Sequence, residues 1–154
     1  MTNIIDLILK ENGLAVTGHA GPYIRNGNHS HWVNDDGVDE WRKFDDADNV
    51  IHFRNSNEYE EWRKFDAHDN MIHYKNSDGD EEWRKFDDNN NMIHLRNSDG
   101  EEAWRHFDEN RNVIHYEDSD GLKIWREYAG KNLLLRELKQ HHGVFYFNQK
   151  EINK

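Results

Sequence analysis

The chain of 154 residues carries 31 Asp and Glu against 20 Lys and Arg, a formal charge of −11, with 11 His, one Pro and no Cys. That length suits one domain, and the acidity works against binding DNA, RNA or anionic membranes unless the basic groups gather on one face. Without Cys there is no disulfide framework and no Cys-ligated zinc, and the absence of an apolar run of roughly 18 residues speaks against a membrane span. The N-terminal MTNIIDLILK lacks a basic stretch followed by a long apolar one, so no leader and a cytoplasmic location are expected.

In chain order, residues 1–19 read as an N-terminal cap in which Asn3–Asn12, followed by Gly13, predicts a short helix. Residues 20–130 are a repeat array. Trp41, Trp62, Trp83, Trp104 and Trp125 recur every 21 residues, with Phe44, Phe65, Phe86, Phe107 and Tyr128 three positions behind. Ile51, Ile72, Ile93 and Ile114 hold the same period, as do His31, His52, His73, His94 and His115. Behind each His stands an apolar residue: Trp32, Phe53, Tyr74, Leu95 and Tyr116. Four full units span 41–124, a degenerate copy occupies 20–40, and another starts at 125. Residues 131–154 form a C-terminal cap, in which Asn132–His142 before Gly143 fits either a second helix or a final strand, and Gly143–Gln149 reads as a strand. His141 and His142 would suit a helix end.

Each unit holds two short strand-forming runs, such as WRKF and MIHY, separated by turn-forming residues. Asn76-Ser77-Asp78-Gly79 has the residues of a type I turn closed by a left-handed Gly, and Asn97–Gly100 and Asp118–Gly121 repeat it. The fold expected is therefore mainly β, an antiparallel meander of 21-residue hairpins in a twisted or curled sheet, with helical or irregular caps at the termini, one domain overall. Pairing Phe44 with Ile51 and His73 with Trp83 divides the side chains between two faces. One carries Phe, Ile, the residue behind His and the Arg of each WRKF, and is the candidate core. The other is a stripe of Trp, His and Lys repeating at about 10 Å, with Arg54 over Trp41 and Arg96 over Trp83 as candidate cation–π pairs.

Phe65-Asp66, Asn70-Met71-Ile72, Tyr74 and Gly79 together resemble the YD repeat of Rhs proteins, a likeness that covers residues 20–128. Tyr23, Gly27 and Asn28 match its turn more closely, whereas Asp48, Asp69, Asn90 and Arg111 stand where that repeat has Gly. Asp and Asn can take the same backbone conformation. The resemblance implies hairpins stacked into a continuous sheet. In Rhs proteins such sheets wind into a shell around a toxin, but this chain has few repeats and shows neither a toxin domain nor a self-cleavage motif.

No unique catalytic constellation stands out: the chain lacks a GxSxG elbow, an HExxH pair and a phosphate-cradling Gly loop. Ser56, Ser77, Ser98 and Ser119 sit in turns, where Ser serves the backbone. Successive His of the column stand about 10 Å apart, too far for one metal to bridge two, and the acidic turns have neither EF-hand nor β-roll spacing. Neither an enzyme nor a cofactor or metal is expected, and EDTA should leave stability unchanged. The residues expected to carry function are Trp41, Trp62, Trp83, Trp104 and Trp125 with His52, His73, His94 and His115, as a protein-binding and self-association face. Five indoles make a stripe that soluble monomers rarely leave bare, so the face should be covered by curling or by another chain. Two rival readings differ in class. One is an acidic mimic that inhibits a nucleic-acid-binding enzyme, of the size found on mobile elements. The four units carry −3, −3, −2 and −2, but at one unit per ~10 Å this is well below duplex DNA. The other is a carbohydrate-binding module that stacks sugars on Trp.

Overall fold

The computed structural model describes residues 24–149, apart from Asp35; the helix expected at Asn3–Asn12 lies outside them. The fold is all-β: 13 antiparallel strands follow one another in a single meander sheet, not closed into a barrel, with no helix among the described residues. The strands are β1 (Ile24–Asn26), β2 (His29–Val33), β3 (Asp39–Phe44), β4 (Val50–Asn55), β5 (Glu60–Phe65), β6 (Met71–Asn76) and β7 (Glu81–Phe86). They continue with β8 (Met92–Asn97), β9 (Glu102–Phe107), β10 (Val113–Asp118), β11 (Lys123–Tyr128), β12 (Leu134–His141) and β13 (Val144–Gln149). Two compact units divide them, Met1–Asp80 with β1–β6 and Glu81–Lys154 with β7–β13.

One device builds nearly every turn. In the first unit, Asp45 Oδ1 accepts the backbone N–H groups of Ala47 and Asn49, and Asp66 Oδ1 does the same for His68 and Asn70. At the opposite ends of the strands Asn34, Asn55 and Asn76 play that part. The second unit repeats it with Asp87, Asn97 and Asp108. An Asp or Asn opening a turn thus satisfies donors that the tight reversal would otherwise strand. Three residues after each opening Asp or Asn the backbone is left-handed, at Gly37, Asp48, Glu58, Asp69, Gly79, Asn90, Gly100, Arg111 and Gly121. Asp48, Asp69, Asn90 and Arg111 do adopt the conformation that a Gly would take there, with φ between 60° and 65°.

The expected pairing holds through Lys43↔His52 and then slips by one, so Phe44 faces Val50 and not Ile51. A bulge between Lys43 and Phe44 accounts for the slip, and it recurs at Lys64/Phe65 and Lys85/Phe86. The periodic Ile51, Ile72 and Ile93 are the extra residues it accommodates, which an alternation argument cannot anticipate.

The C-terminal segment corrects the helical alternative for residues 132–142. β12 pairs along β11, with Trp125 opposite Leu138, and β13 pairs along β12. His142 and Gly143 form the two-residue turn between them, with φ of 48° and 80°, so His142 is a hairpin residue and not a helix end. Both positive φ values match the turn whose twist suits adjoining strands.

The candidate core face is thinner than expected. Only Phe44, Ala103 and Ile124 are buried apolar side chains among the described residues, and no large side chain among them is fully buried. Polar bonding takes much of the load instead. Arg42, Arg63 and Arg84 each pair with the Glu two residues before them, Glu40, Glu61 and Glu82, on the same side of the strand. Arg42 also lies over Phe53, 5.2 Å from the ring centroid. Buried Asn112 receives the Asn132 N–H at 2.7 Å and donates to Gly130 O at 3.0 Å, tying two turns together.

Candidate functional site

The Trp-bearing face is ordered by cross-strand stacking. Because residues directly opposite on paired strands share a face, His31 meets Trp41, His52 meets Trp62, His94 meets Trp104 and His115 meets Trp125. Each imidazole lies nearly parallel to its indole, with ring centroids 5.0, 5.5, 5.2 and 5.3 Å apart and planes within 30°. Two of the indoles also carry a guanidinium from the strand on their other side, as the register requires. Arg54 stands 4.7 Å from Trp41 and Arg96 stands 5.7 Å from Trp83.

Rows therefore run across the strands. In the first unit one row reads His31–Trp41–Arg54–Glu60 and the next Lys43–His52–Trp62–Lys75. In the second unit Lys85–His94–Trp104–Glu117 and His106–His115–Trp125–Leu138–Phe147 continue the scheme. Carboxylates close some rows: His31 Nε2 is 2.7 Å from Asp39, and Glu102 lies 3.4 Å from Arg96 and 3.7 Å from His94. The Nε2 atoms of His52 and His94 are buried and make no hydrogen bond.

Of the residues expected to carry function, Trp62, Trp83, Trp104 and Trp125 keep between 36% and 39% of their surface exposed. Trp41 is more covered and lines a concavity of about 360 Å³ with His29, His31, Lys43, His52 and Arg54. His73 shares the strand position of His52 and His94, in β6. His takes one face of Trp41, Trp62, Trp104 and Trp125, and at Trp41 Arg54 lies over the ring as well. This cover comes from stacking, not from depth in a core, and it limits what the stripe can do chemically. The indole surface left open offers apolar contact and the indole N–H.

Sequence reasoning did not single out Val144, Phe145, Tyr146 and Phe147, which are at least half exposed on β13. Their run, GVFYFNQ, stands outside the repeat, and only its place in the last strand of the sheet makes them surface residues. No protein-family model matches the chain, and no curated protein matches it.

Proposed function

We propose that the chain is a non-catalytic protein-binding module that also self-associates, with the Trp- and His-bearing face as its contact surface. The observation that carries this reading is the exposure of Trp62, Trp83, Trp104 and Trp125, each more than a third open. Part-exposed indoles interleaved with His, Lys and Arg have the composition of a protein contact rather than of an interior.

Sugar recognition has less support, because stacked His residues take one face of Trp41, Trp62, Trp104 and Trp125 and Arg54 lies over Trp41 as well, which reduces the aromatic platform. Nucleic-acid mimicry needs unpaired carboxylates in array, whereas Glu40, Glu61 and Glu82 are held by Arg42, Arg63 and Arg84.

Light scattering across a concentration series tests the self-association. The mass should rise with concentration, and Trp62→Ala with Trp104→Ala should return it to one chain while circular dichroism keeps its β signature. A parent protein that stays one chain at every concentration, or a variant that associates as before, overturns it.

A further inference from the structure

On the face opposite the Trp stripe, the fourth unit breaks a pattern that the first three keep. Glu40, Glu61 and Glu82 each supply a carboxylate to the Arg two residues on, and the Glu40 and Glu61 side chains are only 14% exposed. At the equivalent place the fourth unit has Ala103, followed by Arg105. Ala103 is itself buried, at 7% exposure, so the position has not turned outward. Arg105 Nη1 is buried and makes no hydrogen bond, and no carboxylate forms an ion pair with its guanidinium among the described residues. The guanidinium lies instead over the Tyr116 ring, with Cζ 5.6 Å from the centroid.

A concavity of about 260 Å³ opens at this place, lined by Leu95, Asn97, Ala103, Arg105, Tyr116 and Asp118 among others. Replacing Glu by Ala removes a CH₂ and a carboxylate while leaving the guanidinium that the carboxylate would serve. A buried guanidinium N–H without an acceptor costs far more than a satisfied one.

The geometry points to a binding notch for a short monocarboxylate, held by Arg105 between Leu95 and Tyr116. This goes beyond the proposed function and does not depend on it, since the notch lies on the other face. Charge sets the class of ligand. Glu101, Glu102 and Asp120 also line the concavity, and Asp118 accepts the Tyr116 hydroxyl at 3.1 Å. Such a rim repels phosphate and other multiply charged anions more strongly than a single negative charge, which reaches the guanidinium on an aliphatic stem. The carboxylate can come from a free small acid or from a Glu side chain, and the recognised group is the same.

Thermal melts at pH 7 with about 50 mM sodium acetate, against sodium chloride at equal ionic strength, test the notch. With a Kd on the order of 10 mM, acetate shifts the folding equilibrium roughly sixfold, whereas chloride and phosphate do not. The Arg105 guanidinium resonances should move along with the acetate titration. Ala103→Glu supplies the missing group in place: it should raise Tm without ligand and abolish the acetate response. Glu61→Ala should create a second acetate-responsive site at Arg63. N-acetylglutamate N-methylamide, run in parallel with acetate, separates the sources. Binding of the blocked Glu assigns the notch to a side chain, and binding of acetate alone assigns it to a free acid. If neither shifts the Arg105 signals, or if Ala103→Glu leaves the acetate response intact or lowers Tm, the notch is not a carboxylate site.

Discussion

The imidazole of His94 lies against the indole of Trp104, ring centroids 5.2 Å apart and planes 21° from parallel. The two residues are directly opposed on β8 and β9, so backbone register and ring stacking fix each other. The same pair recurs at His31–Trp41, His52–Trp62 and His115–Trp125, and it covers one face of each of these indoles.

That pairing should be measurable as a coupling. Trp104→Ala should cost about 2 kcal/mol, since the side chain is only part-buried, and His94→Ala less. The double variant should cost about 1 kcal/mol less than the two single changes added together. Urea denaturation of the four proteins gives the cycle, and strictly additive costs would mean that the stack contributes nothing.

Much of this face was legible from alternation alone, because His52↔Trp62 and Trp41↔Arg54 follow once the turn lengths are known. The bulge at Lys43/Phe44 was not, since Ile51 is spaced like any strand residue. Nor was the strand at Leu134–His141. LLLREL has helix-forming residues, and only the partners across the sheet, Trp125 opposite Leu138 and the Arg126–Glu137 ion pair at 2.7 Å, override that preference. The Ala at position 103 is visible in EEAWRHF, but its meaning depends on knowing that Glu40, Glu61 and Glu82 serve Arg.

The Ser of each long turn does more than favour reversal. Ser119 Oγ accepts the Glu102 N–H at 3.0 Å, while the Ser119 N–H donates to Glu102 O at 2.9 Å. Ser56 binds Asp39 and Ser77 binds Glu60 in the same way, so the hydroxyl locks the end of each hairpin ladder. Ser119→Ala should cost about 1 kcal/mol, and the Glu102 amide should exchange its hydrogen faster. Unchanged protection at Glu102 would remove the clamp.

Glu58, like Arg111, stands where the turn chemistry fits badly. It holds φ at 67° without the local side-chain bonding that lets Asp and Asn tolerate this region, while Gly79 and Gly100 fill the equivalent place in later units. Glu58→Gly should therefore stabilise the protein by roughly 1 kcal/mol, seen as a Tm rise of about 3 °C. Gly100→Ala should do the reverse. Space is not the reason, since nothing lies within 4 Å of an added Cβ there. A Glu58→Gly protein that melts lower would show that Glu58 makes a contact outweighing its backbone strain.

The Asp66, Asp87 and Asp108 carboxyls lie below the ordinary value of 3.8, chiefly through the side-chain amides of Asn70, Asn91 and Asn112, which donate to them. Backbone N–H groups of the turns add to this, and desolvation opposes it. A carboxyl whose folded pKa is lowered contributes stability that is complete above its unfolded value and disappears as pH falls through the folded one. Stability should thus hold down to about pH 4 and decline below 3.8 as these turns protonate. The turns at the opposite strand ends suggest the control. There the polarity is reversed, with Asn76 donating to Asp80 at 2.8 Å and Asn97 donating to Glu101 at 2.8 Å. Asp87→Asn alone replaces a carboxylate acceptor by a neutral amide, which weakens the bond to Asn91 and should lower Tm at neutral pH. The exchange Asp87→Asn with Asn91→Asp restores an amide donor and a carboxylate acceptor and should recover most of that Tm. The exchanged carboxylate no longer collects two backbone N–H groups, so the acid limb of the Tm–pH curve should become shallower. An exchange variant with the parent's acid limb would place the titrating groups elsewhere in the chain.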